Sequence, residues 1–255
     1  MDNVVYSFII SSLAGLSTML GTIFIFFRFK DTDGVVLKAL AFASGVMISI
    51  CITDLIPSSF SGFVDIYKVF PAFLFTAIFI VIGIIFSMFI NKSLPGNSDD
   101  VRSNNKALYK VGLISMIAII LHNIPEGIAT FMVSNHDLKL GLSLALAISL
   151  HNIPEGISIS IPIYYSTKSR RMALLYTFVS GASELFGAII AYLFLSSYMN
   201  DFVMSILFAL IAGIMLYIPI YELMPTSLSY GRNKSSVFYF IIGSIFMIWC
   251  HYLLG

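Results

Sequence analysis

Eight apolar stretches follow one another along this chain, each long enough to cross a bilayer, and very few folds accept that pattern. They cover roughly residues 4–27, 35–57, 70–90, 109–132, 139–164, 172–197, 203–227 and 236–254, with ends fixed to within about 2–4 residues. A hydrocarbon core about 30 Å thick needs about 20 such residues per helix. Eight spans use up most of the 255 residues, so no separate soluble domain is left over. The expected fold is all-α: a polytopic membrane protein with eight transmembrane helices in one transmembrane domain spanning 1–255. The first stretch has neither a basic leader nor a small-residue cleavage site and runs too long for a signal peptide, so it counts as a helix. A net charge of +1 gives no electrostatic case for a nucleic-acid partner.

Within this apolar background one polar hexapeptide occurs twice. His122-Asn123-Ile124-Pro125-Glu126-Gly127 lies in the fourth span and His151-Asn152-Ile153-Pro154-Glu155-Gly156 in the fifth. Residues i and i+4 share a helix face, so His122 points with Glu126 and His151 with Glu155, while Asn123 and Asn152 lie close by. A lone His or Asn in a span is commonly a hydrogen bond between helices. Six such groups recurring at fixed spacing are a ligand set for a divalent transition metal: two imidazoles, two carboxylates and two amide oxygens. Pro125 and Pro154 donate nothing to the carbonyls of Leu121 and Leu150 one turn earlier, which frees those oxygens beside each His.

Charge placement sets the expected orientation. Arg28, Lys30 and Lys38 lie around the first loop, Lys92, Arg102, Lys106 and Lys110 the third, Lys168, Arg170 and Arg171 the fifth, Arg232 and Lys234 the seventh. Only Lys68 and Lys139 fall on the other side. Odd loops are therefore expected to be cytoplasmic and both termini extracytoplasmic.

The acids complement this distribution. Glu126, Glu155, Glu184 and Glu222 all fall inside spans, joined by Asp54, and no Lys or Arg is expected at their depth. An ionised, unpaired carboxylate there costs about 2.5–3.5 kcal/mol. Protonation, hydration or a mobile cation must offset that cost.

A second duplication is looser. Phe42–Ser59 aligns without a gap on Leu210–Ser227, with Gly45/Gly213, Met47/Met215, Leu55/Leu223, Pro57/Pro225 and Ser59/Ser227 identical and Asp54 opposite Glu222. With alternating span directions, both this pair and the hexapeptide pair are inverted repeats, the pattern of a transporter whose site lies at the repeat interface. Asp54 and Glu222 are then expected at opposite ends of a metal pathway.

In the sixth span, Ser183 and Gly187 flank Glu184 as a small-xxx-small pair that lets another helix approach, with Glu184 at the right depth to complete the site. Residues 91–108 are polar and read as a flexible cytoplasmic loop. His136 and His251 read as incidental, and Cys51 and Cys250 as small buried apolar residues.

These motifs resemble the ZIP (Zrt/Irt-like) metal transporters, nearest to the bacterial zinc-uptake subgroup. The resemblance rests on the two HNIPEG hexapeptides, on SGASELFGA in the sixth span, and on the acidic residue before an apolar-apolar-Pro ending in the second and seventh. It implies import of Zn2+, and often Fe2+, Mn2+ or Cd2+, into the cytoplasm by elevator-like alternating access, the metal being substrate and not a catalytic cofactor. It further implies a binuclear site whose first position is His122, Glu126, His151 and Glu155. The second is Asn123, Glu126, Asn152, Glu155 and Glu184, the carboxylates of Glu126 and Glu155 bridging. A three-two-three helix arrangement and homodimers in the cell membrane belong to the same expectation.

The rival class is an intramembrane metal-dependent enzyme, a protease or a di-metal oxidase. A zincin needs two His four residues apart with a Glu base, and no HExxH is present. Di-iron bundles use Glu-x-x-His, whereas the order here is His-x-x-x-Glu.

Overall fold

The computed structural model describes residues 2–93, 105–195 and 200–254. Those residues are almost entirely helical, and eight helices are long and apolar enough to cross a membrane. They are α1 (Asn3–Phe26), α2 (Thr32–Ile66), α3 (Val69–Ser93), α4 (Asn105–His136), α5 (Leu138–Thr167), α6 (Arg170–Phe194), α7 (Phe202–Ser229) and α8 (Asn233–Leu253). The protein is an all-α, multi-pass membrane protein. Residues 94–104, the centre of the expected polar loop, lie outside the described residues.

Helix ends follow local chemistry. Asp31 caps α2 by accepting from the Gly34 amide, Asp137 caps α5 by accepting from Lys139 and Leu140, and Ser169 and Asn200 cap α6 and α7. Lys168 ends α5 in the left-handed conformation at φ 57°, its N–H bonded to the Tyr164 carbonyl at 2.7 Å. The second helix runs on to Ile66, well past the apolar stretch that ends near 57. Pro57 does not stop it: it sits in the first turn after a widened, π-helical segment, Cys51–Leu55. A matching π-helical segment, Pro219–Leu223, lies in α7 at the aligned position. The second half of α1, Ser17–Phe26, is wound as a 3-10 helix, with the hydroxyls of Ser17, Thr18 and Thr22 bonded to carbonyls three residues back.

The helices pack as two groups of four. Helices α1, α4, α5 and α6 pack on one another, as do α2, α3, α7 and α8. Each group is fastened by glycine-mediated backbone contact. A Cβ on Gly127 of α4 would stand 1.8 Å from the Glu184 carbonyl oxygen of α6, and one on Gly45 of α2 would stand 2.1 Å from that of Phe240 in α8. The groups meet chiefly through α2 on α5 and α4 on α7. That contact is largely apolar: Val36, Leu40 and Met47 share a buried cluster with Ile159, Ile161 and Ile163.

Lys110 corrects one expectation. Because α4 starts at Asn105, several residues before the apolar stretch, Lys110 falls within the helix and is buried at 8% exposure. A cation therefore does lie inside the protein, within electrostatic reach of Glu222.

Candidate metal centre

The two hexapeptides meet where α4 and α5 pack. His122 Nε2 lies 3.1 Å from Glu126 Oε1 and 3.6 Å from Glu155 Oε1. His151 Nε2 lies 2.9 Å from the same Glu126 oxygen, and the two rings are 6.1 Å apart. One nitrogen from each histidine and one Glu126 oxygen fall within 4.8 Å of one another. A single ion about 2.0–2.2 Å from each donor fits that spacing.

Around this trio stand the remaining expected ligands. Asn123 donates through Nδ2 to the Ser180 carbonyl at 3.0 Å. Asn152 donates through Nδ2 to the Ala14 carbonyl at 3.0 Å and to Glu184 Oε2 at 3.1 Å. Both amides thus spend their donors and keep their acceptors. Among the described residues, Oδ1 of Asn123 and Asn152, both oxygens of Glu155, Oε2 of Glu126 and Oε1 of Glu184 have no hydrogen-bond partner. Each buried acceptor left so costs about 1–3 kcal/mol, and a carboxylate more. Such a concentration of lone pairs at one point suits a cation.

The last hexapeptide residue has a mechanical role. Gly127 admits the backbone of Glu184, and Gly156 admits that of Thr18, where a Cβ would stand 1.9 Å from the Thr18 oxygen. The glycines let α6 and α1 close on the two polar helices and bring Glu184 to Asn152.

A cavity of about 620 Å3 leads to this point from one end of the molecule. Glu126 and His151 line its inner part, Asp54, Ser143, Asn200 and His251 its outer part, and Met132, Met204, Met247 and Cys250 its walls. Asp54 therefore shares a continuous space with the histidine–glutamate cluster. Glu222 does not touch that cavity: it lies toward the other end, accepting from Asn91 Nδ2, whose amide also donates to the Tyr217 hydroxyl at 2.7 Å.

His251, incidental when read alone in the sequence, has a partner in the fold: its Nδ1 lies 3.0 Å from Asp54 Oδ1 across α8 and α2. A sequence signal for it exists. Ile80–Asn91 of the third span aligns without a gap on Phe240–His251 of the eighth, with Ile82/Ile242, Gly83/Gly243, Ile85/Ile245 and Phe86/Phe246 identical, which sets His251 opposite Asn91.

A family model described as the ZIP zinc transporter matches residues 95–250. The chain belongs to the ZIP zinc transporter family. Curated relatives within it are similar over nearly their whole length. The zinc transporter ZupT of Oceanobacillus iheyensis is 38% identical, covering 97% of this chain and 97% of that protein. Those of Clostridium perfringens and Campylobacter jejuni are each 35% identical, over 97% and 100% of this chain and 95% and 98% of theirs. A ZIP chain is a divalent-metal transporter and not an enzyme, so the protease and oxidase readings fall away.

Proposed function

We propose that this ZIP protein takes up Zn2+ into the cytoplasm through a binuclear site in which His122, Glu126, His151 and Glu155 hold one ion. Asn123, Asn152 and Glu184 join Glu126 and Glu155 around the other. The observation that carries this reading is the convergence of unpartnered acceptors and two imidazoles at the end of a cavity that reaches the surface at Asp54. Nitrogen and oxygen donors without thiolate suit Zn2+ and Fe2+ and release them more readily than a sulfur cage, as a carrier requires.

The excess of Lys and Arg in the odd loops supports a cytoplasmic position for those loops and for Glu222 near them, with Asp54 and both termini outside. Asp54 then marks the entrance and Glu222 the exit of the pathway. Alternating access is supported by two helix groups, each tied internally by backbone contact at glycine and facing the other through a largely apolar surface. A homodimer in the cell membrane is part of this reading. Mass measurement in nanodiscs tests it.

The test of function is initial-rate uptake of radioactive zinc into proteoliposomes. The native protein gives saturable uptake, and Glu126→Ala combined with Glu155→Ala lowers it more than about 100-fold, beyond the 10–100-fold cost of removing an outer-shell partner. Uptake that survives the double substitution overturns the site.

A further inference from the structure

We propose that Asp54 and His251 form an outer divalent-cation position, where the ion first exchanges water for protein ligands before moving on to Glu126 and His151. The proposal rests on the uptake reading for the direction of travel, and on the following geometry for the site itself.

The pair presents the right atoms in the right place. His251 Nδ1 and Asp54 Oδ1 stand 3.0 Å apart with side chains 40% and 41% exposed, on the wall of the cavity that ends at Glu126 and His151. One imidazole and one carboxylate with water at hand make a weak site that keeps several waters, which suits an ion that must leave again. The Thr53 hydroxyl lies 3.0 Å from the other carboxylate oxygen, Oδ2, and 2.9 Å from the Ser49 carbonyl, so its one proton is shared between them. The π-helical segment Cys51–Leu55 carries Asp54, and π-helical turns gather at functional positions.

The position also has a counterpart at the other end of the molecule, and the comparison separates binding from packing. Contacts in the second four-helix group come in matched pairs. Ser59 Oγ donates to the Ser205 carbonyl at 2.8 Å, and Ser227 Oγ, its aligned equivalent, donates to the Leu37 carbonyl at 2.7 Å. Gly45 abuts the Phe240 carbonyl and Gly213 that of Ile80; Gly243 abuts Phe42 and Gly83 abuts Leu210. In each case both partners are aligned residues of α2 with α7 or of α3 with α8. Under the same correspondence Asp54 matches Glu222 and His251 matches Asn91. Both acids are therefore met by the same position of the neighbouring helix.

The two ends differ in chemistry. Asn91 offers its acid the amide nitrogen, a donor with no lone pair, and Tyr217 and Lys110 stand beside it. Glu222 is thus met by an amide donor with a cation nearby, whereas Asp54 faces an imidazole, whose ring nitrogen is a metal ligand. The Asp54–His251 pair captures; at the other end Asn91 occupies its acid with an amide donor.

The experiment has two arms on the full-length protein. In the first, zinc binding is measured by equilibrium dialysis in nanodiscs on the Glu126→Ala plus Glu155→Ala background, then with His251→Ala or Asp54→Asn added. The expected result is residual zinc bound with micromolar or weaker affinity and lost on either addition; residual zinc that both additions leave intact, or no residual zinc at concentrations up to millimolar, overturns the site. In the second, uptake by otherwise native protein carrying His251→Ala is expected to need about tenfold more external zinc for half-maximal rate at an unchanged maximum, with His251→Asp restoring it. A lowered maximum with no change in half-saturation, unrescued by Asp, assigns His251 a packing role and overturns the proposal. Binding decides the outer position even if the native protein moves no zinc, so the two readings fail separately.

Discussion

The chain uses two duplications, and they differ in what they keep. In α4 and α5 the hexapeptides are identical, and their side chains converge on one point: His122 and His151 reach the same oxygen of Glu126. In α2 and α7 the segments are only similar, and their acids lie toward opposite ends, with different company. The reason is geometric. Residues near the middle of two antiparallel neighbours meet each other at one site, so both copies are held to one chemistry. A residue near the end of such a helix finds its equivalent at the far end, where a different task permits a different partner. His251 beside Asp54 and Asn91 beside Glu222 are the outcome.

Apart from the loss expected of the double glutamate variant, the largest effect is at the glycine behind the converging pair. Gly127→Ala sets a methyl 1.8 Å from the Glu184 oxygen. Overpacking of this kind costs about 1–3 kcal/mol, seen as a lower thermal midpoint in detergent, and here zinc affinity falls with it. Gly83→Ala in the other group, 2.2 Å from the Leu210 oxygen, should cost similar stability with zinc affinity at the centre kept. Equal loss of affinity in both variants would erase the distinction between the groups.

Glu222→Gln sharpens the contrast between the two ends. Replacing a charge-assisted bond to Asn91 by a neutral one removes about 1 kcal/mol, and the expected readout is a three- to tenfold fall in maximal uptake with half-saturation unchanged. Normal uptake in this variant removes Glu222 from the pathway. The smallest effect lies at the surface. Arg232 and the Gly34 amide hold the Asp31 carboxyl below its ordinary value of 3.8. A lowered folded value stabilises above the unfolded value and is lost as pH falls through the folded one. Asp31→Asn should therefore lower the thermal midpoint slightly at neutral pH, the difference from native shrinking below about pH 3.8.

Much of this architecture is legible in the residues. Hydropathy marks the eight spans because the bilayer leaves helices no alternative, and the hexapeptides mark the centre because His, Asn and Glu are costly in lipid without a task. His251 is harder to read. It sits near the end of the last span, far in sequence from Asp54, and a single histidine carries no periodicity. Only the alignment of α3 with α8 brings it out, and apolar spans align by chance often enough to hide that signal. Lys110 escaped for a different reason: hydropathy finds the apolar part of a helix, and α4 starts before that part does. The π-helical segments were invisible as well, since no residue type demands a widened turn.

The length of α2 carries a further consequence. At about 1.5 Å per residue its 35 residues extend roughly 52 Å, against a hydrocarbon thickness of about 30 Å. Asp54 then stands roughly 33 Å along the axis from Thr32, a distance comparable to the hydrocarbon thickness itself. With Asp54 as the proposed capture point, lipid tail length is expected to tune uptake: half-saturation should differ between proteoliposomes of longer-tailed and shorter-tailed lipid.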